Sequence, residues 1–134
     1  MNNQSTQELW KAACTVRQNA YAPYSNYQVG AALRLKDSEA VFTGCNVENA
    51  SYGATICAER SAVMHAVSQS QHIPVIEELV LVTRDPAPPC GMCLQVLSEF
   101  CRPNTLIHLA TTDAVVHRHP FSFFLPQPFS PDSL

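Results

Sequence analysis

Charge is scarce in this 134-residue chain: only 14% of its residues are Asp, Glu, Lys or Arg, against 46% apolar. A chain of this mass exposes roughly 7,000 Å² when folded, so part of that surface is expected to be covered by sister subunits. Long hydrophobic runs are missing as well. No apolar stretch approaches the length that crosses a bilayer, and Met1-Asn2-Asn3-Gln4-Ser5 carries no basic patch leading into an apolar segment. These absences argue against a membrane partner and predict a cytoplasmic protein. There is no basic stripe: the eight Lys and Arg are scattered from Lys11 to Arg118, and the net charge is −3. A nucleic-acid polymer is therefore not the expected partner. Repeats, low-complexity tracts and linkers are also lacking, which predicts a single domain over residues 1–134.

What the chain does have is cysteine, six in all. Without a secretory signal these read as reduced thiols and metal ligands rather than a disulfide framework. Cys14, Cys45 and Cys101 read as small core residues. The other three are grouped, in Cys57-Ala58-Glu59-Arg60 and, thirty-three residues on, Pro89-Cys90-Gly91-Met92-Cys93. Three thiolates would leave a zinc ion one position for water, which separates a catalytic site from a closed structural one. A carboxylate beside the ligands, Glu59, suits hydrolysis: it can take a proton from water and return it to a leaving group.

Spacing places these residues on elements. Apolar positions Leu9, Ala12, Ala13, Val16 and Ala20 recur at helical intervals from about Ser5 to Ala20, with Ser5 or Thr6 as the N-cap. Residues 28–35 and 40–45 read as two strands of a hairpin, and residues 79–83 as a short apolar strand. A second helix spans about Ile56 to Ser68, with Ala58, Ala62, Val63, Ala66 and Val67 on its apolar face. A third spans Cys90 to Phe100. Residues 106–110 and 114–117 complete five strands. The order αββαβαββ implies an α/β fold of three layers, with helices on both faces of a five-stranded mixed sheet. Cys57 and Cys90 then fall at helix N-termini, whose free N–H groups and partial positive charge favour thiolate over thiol.

Cys57-Ala58-Glu59 and Pro89-Cys90-Gly91-Met92-Cys93, preceded by Gly44-Cys45-Asn46-Val47-Glu48-Asn49-Ala50, resemble the small homotetrameric zinc-dependent cytidine deaminases. Tyr24-Ser25-Asn26-Tyr27-Gln28-Val29-Gly30-Ala31-Ala32-Leu33 and Leu125-Pro126-Gln127-Pro128-Phe129 are similar to two further segments of that family, so the likeness spans roughly residues 20 to 130. It implies a cytidine deaminase-like fold and hydrolysis of cytidine and deoxycytidine to uridine and deoxyuridine with ammonia release, in pyrimidine salvage. It also implies a Zn2+ cofactor held by Cys57, Cys90 and Cys93. In zinc deaminases a Glu that is not a ligand serves as proton shuttle, and the resemblance gives that role to Glu59.

The likeness further implies that Asn46 and Glu48 bind the ribose hydroxyls, that the Ala58 main chain and the Pro88 carbonyl meet the pyrimidine and its amine, and that Tyr27 lies against the base. Tyr52 and Phe129 would reach into a neighbouring subunit's site, making a homotetramer with shared active sites. Arg60 would hydrogen-bond the sulfurs and offset their charge. Three positions depart from the family: Leu94 where Arg is common, Tyr27 where Phe is usual, and Pro88 where Ser often stands. Each substrate contact also has a plain structural alternative, as a strand-end polar or packing residue. Two other functions stay open: a deaminase of another aminopyrimidine compound (a modified cytidine, a nucleotide or a blasticidin-like molecule), and a non-enzymatic zinc domain completed by a ligand such as His65.

Overall fold

The computed structural model describes residues 3–134. Helix α1 (Asn3–Arg17) leads into a hairpin of β1 (Gly30–Leu35) and β2 (Val41–Cys45). Then follow α2 (Ala58–Gln69), β3 (Ile76–Val82), α3 (Gly91–Ser98), and a second hairpin of β4 (Cys101–Ala110) and β5 (Val115–Pro120). A single helical turn at Tyr52–Ala54 and the short α4 (Phe121–Phe124) are additions; elements of three and four residues are too brief to show a period. The strands form one sheet in the order β2-β1-β3-β4-β5. β3 and β4 are parallel, with α3 as their crossover, and the other neighbours are antiparallel. No helix is long and apolar enough to cross a membrane among the described residues.

Alternate residues of β3 feed opposite faces. Leu79 and Leu81 pack with Ala62 and Val63 of α2, Leu97 of α3 and Phe121 of α4, while Val80 and Val82 pack with Leu9 and Ala13 of α1. Burial on both faces explains why this strand is an unbroken apolar run, and the expected three layers result.

Some local expectations are corrected. Val67 is 43% exposed, because the buried stripe of α2 is Ala58, Ala62, Val63 and Ala66. Since α1 starts by Asn3, neither Ser5 nor Thr6 is its N-cap; the buried Thr6 hydroxyl donates instead to Glu78 Oε2. β4 begins at Cys101, where Pro103 and exposed polar residues disguise it, and its pairing with β3 shifts register between Ile76 and Glu78. Cys14, Cys45 and Cys101 are free and half-buried rather than fully in the core.

Gly44 of β2 fixes how closely α2 can approach. A Cβ there would lie 2.3 Å from Ala62 N and 2.6 Å from Ala58 O, backbone atoms that no rotamer change can move. We expect Gly44→Ala to destabilise the fold by about 1–3 kcal/mol in urea unfolding and to lower activity as well, since α2 carries the site. Parent-like stability would show that the helix can shift freely.

Candidate active site

Both cysteine motifs open helices. Cys57 is the N-cap of α2 and Cys90 the N-cap of α3, each with extended backbone, so both sit one position before the helix proper. Cys93, one turn into α3, is fully buried. The three Sγ atoms lie within 4.8 Å of one another. Two helix N-termini thus point their partial positive charge at one cluster of sulfurs.

Charge at the cluster is asymmetric. A hydrogen bond from the Cys93 thiol, together with the Arg60 guanidinium, outweighs burial and draws the Cys57 thiol down to about 5. Arg60 Nη2 lies 3.1 Å from Cys57 Sγ and 3.5 Å from Thr55 O, while its buried Nε has no partner. Cys93 is pushed upward by its hydrogen bond to Cys57 and by burial. Cys57 is therefore the sulfur most readily held as a thiolate, with the Cys93 thiol hydrogen-bonded to it. Three soft sulfur donors converging on one point, with a cation backing them, fit a zinc ion.

Glu59 lies beside the sulfurs, 4% exposed. Burial, aided by the Cys57 charge, pushes its carboxyl up to about 7. His65, the possible fourth ligand, is instead exposed, with Nδ1 3.3 Å from Thr43 O and its ring edge-on to Phe42, and it does not belong to the sulfur cluster.

A cleft of about 480 Å³ opens over the cluster. Tyr27, Asn46, Glu48, Ala58, Glu59 and Pro88 line it along with Cys57 and Cys90. Asn46 is 7% exposed and clamps the facing loop: its Oδ1 accepts from Val29 N at 2.9 Å and its Nδ2 donates to Tyr27 O at 2.8 Å. Glu48 Oε1 accepts from Tyr24 N and Ser25 N at 3.0 and 3.1 Å, and Oε2 from the Ser25 hydroxyl. The Ser25 hydroxyl and these N–H groups hold the Glu48 carboxyl below its ordinary value despite some desolvation. Tyr52 lines an adjoining recess with Tyr24, their rings edge-to-face at 5.9 Å. Phe129 lies outside the cleft, 59% exposed, and its carbonyl accepts from Gln95 Nε2 of α3 at 3.0 Å.

This arrangement has recognisable relatives. The family model for the cytidine and deoxycytidylate deaminase zinc-binding region matches residues 3–109. The chain belongs to this family. It is 42% identical to a cytidine deaminase of Halalkalibacterium halodurans, over 96% of each chain. The crystal structure of a cytidine deaminase from Burkholderia pseudomallei superposes with a TM-score of 0.85 at 40% identity, covering 92% of this chain and 98% of that one. The cytidine deaminase of Mycobacterium tuberculosis gives a TM-score of 0.80 at 36% identity, over 93% and 97%. The family name itself carries zinc, in agreement with the donor set found here.

Within this deaminase-family site the sequence reading omitted Ser25, Val29, Thr55 and Thr83, all of which line the cleft. Ser25 stood inside a recognised segment, so a signal for it existed. Thr83 carried none, being simply the residue after β3. Leu94 packs with the apolar cluster and lines a separate groove with Leu109 and Phe124, so it does not face the substrate cleft.

Proposed function

We propose that this chain is a single-domain deaminase that hydrolyses cytidine and deoxycytidine to uridine and deoxyuridine, releasing ammonia. The observation that carries the reading is the meeting of Cys57, Cys90 and Cys93 at two helix N-termini, with Glu59 buried alongside at the floor of one cleft. Zinc bound to the three sulfurs would supply the Lewis acidity that makes water a usable nucleophile near neutral pH.

The chain's own residues account for the rest. Glu59 takes one proton from the attacking water and passes it to N3 of the pyrimidine, then takes the proton of the newly added hydroxyl and gives it to the departing amine, so that the ring carbonyl forms as the C–N bond breaks and ammonia leaves; such a shuttle is typically worth about 10² to 10⁴ in rate. Its burial excludes competing solvent and keeps the carboxyl able to give as well as take a proton. Arg60 offsets the sulfur charge. The Pro88 carbonyl and the Ala58 main chain orient the base. Asn46 and Glu48 address the ribose: each is already held by the loop it clamps, which pre-sets the remaining hydrogen-bonding capacity without further ordering at binding.

We also infer a homotetramer with shared sites. Tyr21, Tyr24 and Tyr52 are 54, 46 and 76% exposed, bare rings in a chain short of charge, and Tyr24 and Tyr52 line the recess beside the cleft. With Phe129 they supply surfaces for a neighbouring copy. Light scattering should give a mass four times the 14.7 kDa chain. In that assembly Phe129→Ala should raise KM for cytidine by about 2- to 12-fold, the worth of one aromatic contact, with kcat largely kept. An unchanged KM would remove Phe129 from the site. Six free thiols, three of them serving as ligands, suit the reducing cytoplasm.

Zinc analysis of purified protein together with ammonia release from cytidine, deoxycytidine, their monophosphates and blasticidin S tests the function. Turnover of the two nucleosides in preference to the others is the expected result. A preference for monophosphates or for the antibiotic would overturn the substrate assignment, and zinc binding without any ammonia release would overturn the enzymatic one.

A further inference from the structure

Two loops face each other across the mouth of the cleft. The α1–β1 loop supplies Ser25, Tyr27 and Val29, and the β3–α3 loop supplies Thr83, Ala87 and Pro88. One contact bridges them: the Arg84 guanidinium carbon lies 5.5 Å from the centroid of the Tyr27 ring. That distance is within the roughly 6 Å over which a cation is drawn to the face of an aromatic ring. Among the described residues Arg84 forms an ion pair with Asp85 alone, at 3.8 Å, with the two side chains 69 and 87% exposed. An ion pair so open to solvent constrains little.

The backbone at Tyr27 is already fixed. Its carbonyl accepts from Asn46 Nδ2 at 2.8 Å and its N–H donates to the Ser25 hydroxyl at 3.0 Å. What those bonds leave undetermined is the direction of the ring, and Arg84 is the cation on the opposite loop that meets it. Arg84 in turn is flanked by anchored neighbours: Thr83 is buried, and its hydroxyl donates to the Asp85 carbonyl, which ties the two residues on either side of Arg84 together.

We propose that Arg84 is a positioning residue, a cation latch that holds the Tyr27 ring across the cleft mouth and so sets how firmly the nucleoside is retained. This rests on the substrate reading above, in which Tyr27 lies against the base. The latch acts on binding and leaves the proton shuttle at Glu59 untouched. Its worth is that of one exposed cation–ring contact, about a two- to fivefold change in affinity.

A double-mutant cycle tests it. Arg84→Ala should raise KM for cytidine by about two- to fivefold with kcat unchanged, and Arg84→Lys, which keeps a cation, should recover most of the loss. Tyr27→Phe keeps a ring and should keep the dependence on Arg84. Tyr27→Leu should abolish it, so that Arg84→Ala added to Tyr27→Leu has no further effect. An Arg84→Ala enzyme with parent-like KM, or fully additive effects in the cycle, would overturn the latch. NMR supplies a readout independent of turnover: ring-current shifts of the Arg84 side-chain protons should be present in the parent and in Tyr27→Phe and absent in Tyr27→Leu. Their absence from the parent would also overturn it. A parent that fails to release ammonia would count against the proposed function alone.

Discussion

Glu59→Gln is expected to lower kcat for cytidine by about 10² or more while zinc content stays at one per chain. Gln is nearly isosteric with Glu, so the buried pocket beside the sulfurs stays filled, and none of the three thiols is touched. What disappears is the ability to accept a proton and return it. The side chain is 4% exposed, so bulk water is poorly placed to replace it. A variant retaining zinc and most of its rate would mean that the proton moves by another route; a variant losing zinc would make Glu59 a support for the metal site. Because the expected split is activity lost with metal kept, a combined metal and rate measurement separates the three outcomes.

Glu78→Gln is expected to destabilise the fold by about 3–5 kcal/mol, the usual loss when one partner of a buried ionic cluster is removed. Glu78 is 1% exposed, at the centre of the sheet. Arg34 of β1 approaches Oε1 with Nη1 and Nη2 at 3.1 and 2.8 Å, His108 Nε2 of β4 lies 2.6 Å from Oε2, and Thr6 of α1 donates to the same oxygen. Arg118 of β5 donates from Nε to His108 Nδ1 at 3.4 Å. The carboxylate therefore ties α1, β1 and β4 to its own strand β3, and His108 extends the cluster to β5. Neutral Gln would leave the Arg34 cation, 18% exposed, without its counter-charge.

Burial alone would push the Glu78 carboxyl up, but the hydrogen bonds from His108 and Thr6 and the Arg34 charge outweigh it and hold it below the ordinary value. A carboxyl lowered by folding contributes stability that is present above its unfolded pKa, about 4.3, and is lost as pH falls through the lower folded value. The gap between parent and Glu78→Gln in urea unfolding should thus be widest near neutrality and shrink below about pH 4. A gap independent of pH would mean that the carboxylate's charge is not what stabilises the cluster.

These two glutamates also show where the sequence was legible. The place of Glu59 beside the sulfurs was readable because it is local: it sits two residues after Cys57, on the helix that Cys57 opens. Cys57, Cys90 and Cys93 could be grouped for the same reason, while α2 followed from apolar periodicity and β3 from its short unbroken apolar run. Glu78 was invisible, because its partners Thr6, Arg34 and His108 lie 72, 44 and 30 positions away and nothing local marks a polar residue in an apolar strand as paired. Thr6 was misread as a cap on the same ground: hydroxyls near a helix start ordinarily cap it, and only the fold reveals a carboxylate within reach. The Arg84–Tyr27 contact escaped likewise, since it joins two loops that the sheet brings together. Residues whose function lies in a nearby motif can be read from the chain; residues whose function lies in long-range pairing cannot.

The proposed chemistry requires a metal held by three sulfurs with one position left for solvent. X-ray absorption at the zinc edge of the active protein measures it directly. The predicted first shell is three sulfur atoms and one lighter atom, with the sulfur count falling to two in Cys90→Ser. A first shell of four protein ligands, whether a fourth sulfur or a histidine ring, or full activity in protein that contains no zinc, would contradict it.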